Sequence, residues 1–367
     1  MTGGRGGGFG TGRRGGRRDR RRPRPDGPFG FVAPDRVGGR PHLMVDGAPR
    51  QGTVATLSHW PGTPTPAALV ADLSAESAAL ALRHRGALPR GVGTVTVDHA
   101  DEDGAVAVAL LCTGGLAAAH GELLVEAARV GDFGVVRDRR AALVAFALGA
   151  LLDPRRTPVD EVRSGAATGL AATGMLVAAA VGRMAVLADD PDAARGLWAA
   201  EAAAYDASVG ALGRGELRIA EEPERDLAVV EAPSGRWPPG VAWGGRPVHP
   251  AAVHSATTCM RVAAAVPGDC QAWFRYETWV RLARPPGRLR VDLHQVAADL
   301  DRREAGGHGP GVAASPRWRF DGAGALVPAL RRSGPGPSQL GADEFLQVLR
   351  EGLDRLDRGA PAWDPYR

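Results

Sequence analysis

The residues best suited to chemistry lie in one short stretch, Thr94-Val-Thr-Val-Asp-His-Ala-Asp-Glu-Asp-Gly104, followed at once by the apolar run Ala105-Val-Ala-Val-Ala-Leu-Leu111. β-Branched residues lead straight into Asp98, His99, Asp101, Glu102 and Asp103, and a glycine then opens an apolar helix. Ionised carboxylates gathered at the end of a buried strand repel one another unless a cation neutralises them. Carboxylate oxygens with one imidazole suit Mn2+ or Mg2+, whereas Zn2+ or an iron-sulfur cluster calls for more thiolate or histidine than this segment holds. Asp98, His99, Asp101 and Asp103 are therefore candidate metal ligands, and Asp132, in Ala128-Arg-Val-Gly-Asp-Phe-Gly134, is a further one. His59 is a candidate ligand or proton donor to a leaving group. The bland alternative is a solvated acidic turn with an aspartate as helix N-cap.

Such a cluster has to be positioned by a sheet edge. Gly52 to Ser58 and Val92 to Val97 read as strands, Thr65 to Arg83 as an amphipathic helix and Gly104 to Leu111 as a second helix. This alternation implies a parallel sheet flanked by helices, with ligands at the carboxyl ends of the strands, where His59 and Asp98 fall. From Leu116 to about Gly213 the pattern is helical and Ala-rich, with a break at Asp153-Pro-Arg-Arg-Thr-Pro158. Strand-like pieces at Glu216 to Ala220 and Asp226 to Glu231 precede a Gly, Pro and Trp-rich connector, Pro233 to Pro247, where a domain boundary is expected. Beyond it come a short helix near Pro250 to Thr258, strands near Met260 to Val266 and Trp273 to Arg281, and a helix from Val291 to Arg303. The expected fold is α/β: a metal-binding domain over residues 41–232 and a smaller α/β domain over 248–367.

A chain of 367 residues exceeds one average domain, which agrees with two units. Arginine carries the whole positive charge, with no lysine or asparagine and Ile219 the one isoleucine. That pattern reads as a coding bias toward G and C, so arginine abundance alone says little about function. Residues 1–40 nevertheless hold eleven arginines against three aspartates. The segment is too poor in apolar residues to fold and is expected to be a disordered tail, able to touch nucleic acid through phosphates or to be merely solvated. Cys112, Cys259 and Cys270 show no CxxC spacing, which fits a reducing cytosol, and no apolar signal segment stands at the N-terminus. Gly169 to Ala188 is apolar but holds Arg183, and it reads as a buried helix rather than a membrane span.

His99, Asp101, Asp103 and Gly104 form a His-x-Asp-x-Asp-Gly element after a strand that ends in Asp-His. With the downstream Gly306-Gly-His308 segment, the chain resembles the DHH phosphoesterase superfamily, in which an α/β metal-binding domain and a smaller DHH-associated domain face each other across a cleft. The resemblance implies hydrolysis of a phosphoester with Mn2+ or Mg2+ held by Asp and His, Asp132 supplying a late aspartate. Asp98-His99-Ala100 lacks the second histidine of the family signature. Arg284, in Val280-Arg-Leu-Ala-Arg284, and Gly306, Gly307 and His308 would hold the phosphate of a nucleotide, short nucleic acid or other phosphorylated small molecule. The rival from another class is an inactive DHH-like protein that engages nucleic acid through its arginine tail. The phrases Leu57-Ser-His-Trp-Pro-Gly-Thr-Pro, Phe274-Arg-Tyr-Glu-Thr-Trp-Val and Pro361-Ala-Trp-Asp-Pro-Tyr also resemble an uncharacterised actinobacterial family, over about residues 42–367.

Other candidates read as structure. His249, His254 and Cys259 are spaced by five residues, which scatters them around a helix and marks them as packing or loop residues. No Gly-x-Ser-x-Gly elbow accompanies Ser58-His59 or Ser255. Trp273, Trp279 and Trp318 are expected in the core of the second unit.

Overall fold

Four short strands, β1 (Gly30–Phe31), β2 (His42–Val45), β3 (Thr53–Leu57) and β4 (Thr94–Thr96), form an all-parallel sheet in the order β1-β4-β2-β3. This computed structural model describes residues 27–305, 317–333 and 336–367. Residues 1–26 of the expected tail, and Gly306, Gly307 and His308, lie outside the described residues. The fold begins before the expected boundary at residue 41, because Phe29 and Val37 are buried and β1 pairs with β4.

Helices α1 (Ser74–Arg83), α2 (Glu102–Cys112), α3 (Leu116–Phe133), α4 (Arg139–Leu152), α5 (Asp160–Arg163), α6 (Gly169–Asp189) and α7 (Arg195–Gly213) complete the first unit. The stretch expected to be one helix over 65–83 is instead a single 3-10 turn, Ala67–Leu69, followed by α1. The pivotal helix is α2. Asp101 starts it by accepting the Gly104 N–H at 2.9 Å, a cap worth about 1 kcal/mol. Every residue from Asp103 to Cys112 is buried, so α2 runs through the centre of the unit against α1, α3 and α6. Burial of Leu110 and Leu111 alone contributes about 3–6 kcal/mol. In α6, Leu176, Val177, Ala180, Met184 and Leu187 join the same core while Leu170 and Val186 remain exposed. It is long and apolar enough to cross a membrane, and with 39% of its most apolar window buried against protein it is only partly the buried helix expected.

The second unit is a six-stranded mixed sheet: β5 (Arg218–Glu222), β6 (Leu227–Glu231), β7 (Arg261–Val266), β8 (Asp269–Phe274), β9 (Trp318–Phe320) and β10 (Ala329–Arg332), in the order β5-β6-β7-β8-β10-β9. Strand alternation buries both faces. Leu227, Val229, Ala263 and Phe274 meet Leu300 of α9 (His294–Ala305) and Phe345 and Leu349 of α10 (Ala342–Leu356). Val230, Val262 and Trp273 meet Ala211 of α7 and Val253 of α8 (Pro250–Ala256). Trp273, Trp279 and Trp318 are all buried.

This sheet corrects the expected boundary. β5 and β6 precede the Pro233–Pro247 connector and β7 follows it, yet β6 and β7 are hydrogen-bonded neighbours. They are parallel, so the chain must cross over between them, and the connector with α8 makes that crossover. The change of unit therefore falls between α7 and β5. The strand expected over 273–281 ends at Phe274; a 3-10 turn, Tyr276–Thr278, then carries Tyr276, Trp279 and Val280 into the core of the first unit.

Candidate metal centre

At the carboxyl edge of the parallel sheet, β2, β3 and β4 deliver Asp46, His59 and Asp98 respectively. Asp46 is fully buried and has φ +46°, a left-handed conformation that costs a non-glycine residue roughly 1 kcal/mol or more and recurs at functional sites. Gly47 leaves room for Asp98, since a Cβ there would lie 2.4 Å from the Asp98 carboxylate. Asp98 in turn accepts the Ala48 N–H at 3.0 Å.

Helices hold the remaining carboxylates. Asp103, in the first turn of α2, accepts the N–H groups of Ser74 at 2.7 Å and Ala75 at 2.8 Å at the start of α1. The Ser74 hydroxyl donates to Asp46 Oδ1 at 2.7 Å. Asp132 projects from the last turn of α3, whose end is pinned from the second unit: His254 Nδ1 donates to the Phe133 carbonyl at 3.0 Å, while the Trp273 indole donates to its Nε2 at 3.2 Å. Burial, with help from the Arg275 charge, lowers His254 to about 3, so it stays neutral in this role.

His59 stands in the middle. Its Nδ1 lies 2.6 Å from the Asp72 carbonyl, which can only accept, so Nδ1 carries a proton and Nε2 presents a lone pair in the neutral ring. Nε2 is 3.5 Å from Asp46 Oδ1, 3.5 Å from Asp132 Oδ2 and 4.0 Å from Asp103 Oδ2. These spacings are too loose for hydrogen bonds. His59 Nε2, Asp46 Oδ2 and Asp132 Oδ2 are all buried without a hydrogen-bond partner among the described residues. A second, outer group shares Asp46: His99 Nε2 lies 2.6 Å from Asp101 Oδ2 and 3.3 Å from Asp46 Oδ2, and its Nδ1 lies 2.7 Å from Asp98 Oδ1. Ligand atoms of Asp46, His59 and Asp103, and of Asp46, His99 and Asp101, lie close enough together for each group to hold one ion.

Burial and mutual repulsion shift the carboxyls of this cluster. Burial, then the charge of Asp101, pushes Asp46 up to about 6, and burial with the Asp46 charge pushes Asp103 to about 7. Asp132 is driven well above the carboxylate range by burial and by Asp103, Asp101 and Asp46. Burial alone would also raise Asp101, but the His99 charge and hydrogen bond outweigh it and bring it to about 2. His99 resists its burial in the same pairing and is shifted upward, chiefly by Asp101.

Residues 28–356 match the sequence model of a family of unknown function. The chain belongs to DUF6687. No curated protein and no solved structure matches it. The DUF6687 span includes every residue of the acidic cluster and both sheets.

Within this DUF6687 chain, His59, His99, Asp101, Asp103 and Asp132 lie together around Asp46. Asp98 belongs to the rim, where it orients His99 and stands outside both three-residue groups. Asp101 is indeed a helix N-cap, but the turn it caps is no solvated loop, because Asp46 and Asp103 beside it are fully buried. Glu102 turns away from the centre toward Gly131 and Gly149, where any Cβ would come within 2.5 and 2.7 Å of its side chain. Arg284 is exposed in the loop after β8 and makes no hydrogen bond or ion pair among the described residues, although the nearby backbone is bound to the site: Arg281 N–H donates to the His59 carbonyl at 2.8 Å and Ala283 N–H to Asp72 Oδ1 at 2.7 Å. His249 caps α8 and His254 braces α3, so both are structural.

Sequence reasoning missed Asp46, Ser74 and Tyr276. A signal existed for Asp46: the apolar run Leu43-Met44-Val45 stops at Asp46-Gly47, the same strand-to-acid pattern that marks Val97-Asp98. Tyr276 approaches from the second unit, its ring edge-on to His59 at 5.8 Å. Burial, followed by the charges of Asp132, Asp46, Asp101 and Asp103, raises its phenol well above the ordinary range.

Proposed function

We propose that this chain is a divalent-metal-dependent phosphoester hydrolase, with Mn2+ or Mg2+ in the acidic cluster. One observation carries the reading: His59 Nε2 and Asp132 Oδ2 are buried, without a hydrogen-bond partner among the described residues and 3.5 Å apart, with Asp46 Oδ1 also 3.5 Å from the same nitrogen. Polar atoms left this way in a protein interior cost free energy that a bound cation would recover. The Nδ1 hydrogen bond of His59 to a backbone carbonyl is the arrangement by which proteins fix a ligating imidazole. The donor set of several carboxylates with two imidazoles suits a hard or borderline cation.

Asp46, His59, Asp103 and Asp132 would hold the first ion. A second, held by Asp46, His99 and Asp101, would have to displace the proton that His99 keeps between Asp98 and Asp101, so the inner group fills first. When bound, the cation supplies charge neutralisation at a phosphoryl oxygen and acidifies a water. The chain's own residues do the rest. Ser74 and Ala75 fix Asp103, Ser74 fixes Asp46, and Asp72 fixes the His59 ring. His59 is too enclosed to reach a leaving group and serves as a ligand. His99, 30% exposed at the rim with both ring nitrogens on carboxylates, is placed to hand a proton outward. The choice of a phosphoester follows the resemblance to DHH phosphoesterases and the position of the cluster at the carboxyl ends of parallel strands. Arg284 remains the candidate to hold the substrate phosphate.

Calorimetric titration of Mn2+ into the purified chain tests this reading. Micromolar to submillimolar uptake, lost in Asp46→Asn, together with Mn2+-dependent release of nitrophenol from a nitrophenyl phosphate, is the expected result. No uptake at millimolar Mn2+ or Mg2+ would overturn it.

A further inference from the structure

One side of the cluster is closed by residues from far along the chain. Tyr276 packs against His59, lies 6.4 Å from the Phe133 ring and stacks on Trp279 at 5.9 Å and 13°. Trp279 meets Trp60 edge-on at 5.0 Å and stacks on Trp363 at 5.6 Å and 8°. The backbone of residues 281–283 is hydrogen-bonded to His59 and Asp72 beneath. Within the cluster exposure is concentrated at its rim: the side chains of Asp46 and His59 are fully buried and Asp132 is 5% exposed, against 22–30% for Asp98, His99 and Asp101. The ligand atoms nearest to solvent are therefore those of the rim, and Tyr276 lies on the side of His59.

Two hydrogen-bond donors remain unspent here. Tyr276 is 8% exposed, and its hydroxyl has no hydrogen-bond partner among the described residues although Asp132, Asp46, Asp101 and Asp103 all lie within electrostatic reach. The Trp60 indole N–H is buried and without a partner among the described residues, with its ring 5.1 Å from His99. Donors left free beside an acidic cluster point to a ligand that brings its own acceptor oxygens, and a metal-bound oxyanion does so.

We propose that the centre is a blind-ended pocket for a terminal phosphoryl group, in which the Tyr276 hydroxyl donates to one phosphoryl oxygen at the closed end and the Trp60 N–H to another. This rests on the hydrolase reading above. A phosphomonoester can turn three free oxygens inward and leave only its ester oxygen facing the rim. A diester carries a second substituent, which would have to occupy the closed end against Tyr276 and Phe133. The substrate class is therefore a small molecule or chain end bearing a terminal phosphate, and not the interior of a nucleic acid.

The test uses the full chain loaded with Mn2+, titrated with methyl phosphate and with dimethyl phosphate. Wild type should bind methyl phosphate at least tenfold more tightly than the diester. Tyr276→Phe keeps the ring that packs on His59 and Trp279; it should take up Mn2+ within twofold of wild type but bind methyl phosphate about tenfold more weakly, narrowing the gap between the two esters. The charge difference between the esters is the same in both proteins and cancels from that comparison. Trp60→Phe should narrow the gap likewise, and it serves if Tyr276→Phe does not fold. Unchanged methyl phosphate affinity in the variants, or equal affinity of wild type for both esters, overturns the pocket and leaves the metal reading standing. Absence of Mn2+ uptake by wild type overturns both.

Discussion

Raising the pH on the metal-free chain should destabilise it, in a window set by its buried acids. Asp46 is raised from 3.8 to about 6 and Asp103 from 3.8 to about 7, so in the folded state each holds its proton to higher pH than in the unfolded chain. Stability from such a group is fully present below pH 4 and is lost as the pH climbs through its folded value. The gap between 3.8 and about 6 is worth about 3 kcal/mol for Asp46 at 1.36 kcal/mol per pH unit. Between pH 5 and pH 8, Asp46 and Asp103 together cost roughly 4 kcal/mol, and His99, shifted upward as well, adds a loss of the same sign above pH 6.5. For a chain of 367 residues that is a fall of roughly 5 °C in thermal midpoint. Saturating Mn2+ displaces those protons, so its stabilisation, about 2.7 kcal/mol at a hundredfold excess over Kd, should be small at pH 5 and largest at pH 8. Scanning calorimetry from pH 5 to 8, with chelator and with 1 mM Mn2+, reads both trends. A chelated protein whose midpoint stays flat or rises with pH would refute the argument that these acids are buried together without a neutralising partner.

Gly47→Ala should cost about 2 kcal/mol in a denaturant titration and weaken Mn2+ binding, because its Cβ would collide with the Asp98 carboxylate that orients His99. His254→Leu strands the Phe133 carbonyl and the Trp273 N–H, so a loss of about 2–4 kcal/mol is expected by the same measurement. Arg284→Lys keeps the charge but loses the planar fork; phosphate binding to the Mn2+-loaded chain should fall severalfold while the thermal midpoint stays put, Arg284 being exposed and without a hydrogen bond or ion pair among the described residues.

Where element and chemistry shared one uninterrupted pattern, the sequence was readable. β4 with α2 is the best case: β-branched residues, then acids, then ten buried residues in a row announce strand, edge and central helix. β2 was not legible, and Asp46 went with it. Parallel strands ordinarily need a long crossover, but β2 and β3 are joined by residues 46–52 alone, so the pattern shows no helix between them to mark two strands. The helix expected over 65–83 was shortened by Pro66 and by the Ser74 and Ala75 N–H groups, which Asp103 captures from a distant part of the chain. The connector at 233–247 carries every local mark of a domain boundary, and only the pairing of β6 with β7, a long-range event, shows that it lies inside a sheet. Tyr276 was out of reach for the same reason, since nothing in Phe274-Arg-Tyr-Glu tells which unit its ring will enter.

The entry of Tyr276, Trp279 and Val280 into the first unit's core also fixes an order of events during synthesis. Asp46, His59, His99, Asp103 and Asp132 have all left the ribosome long before residue 276, and the early part of the chain is rich in helices that form from local contacts. The nascent first unit therefore presents its carboxylates to solvent with one wall missing. That wall arrives only after β7 and β8 have paired, when the aromatic segment drops onto His59. The wall that Tyr276 and Trp279 give the acidic centre is therefore the last part of it to be completed, and the carboxylates spend the interval before it in a site more open than the finished one.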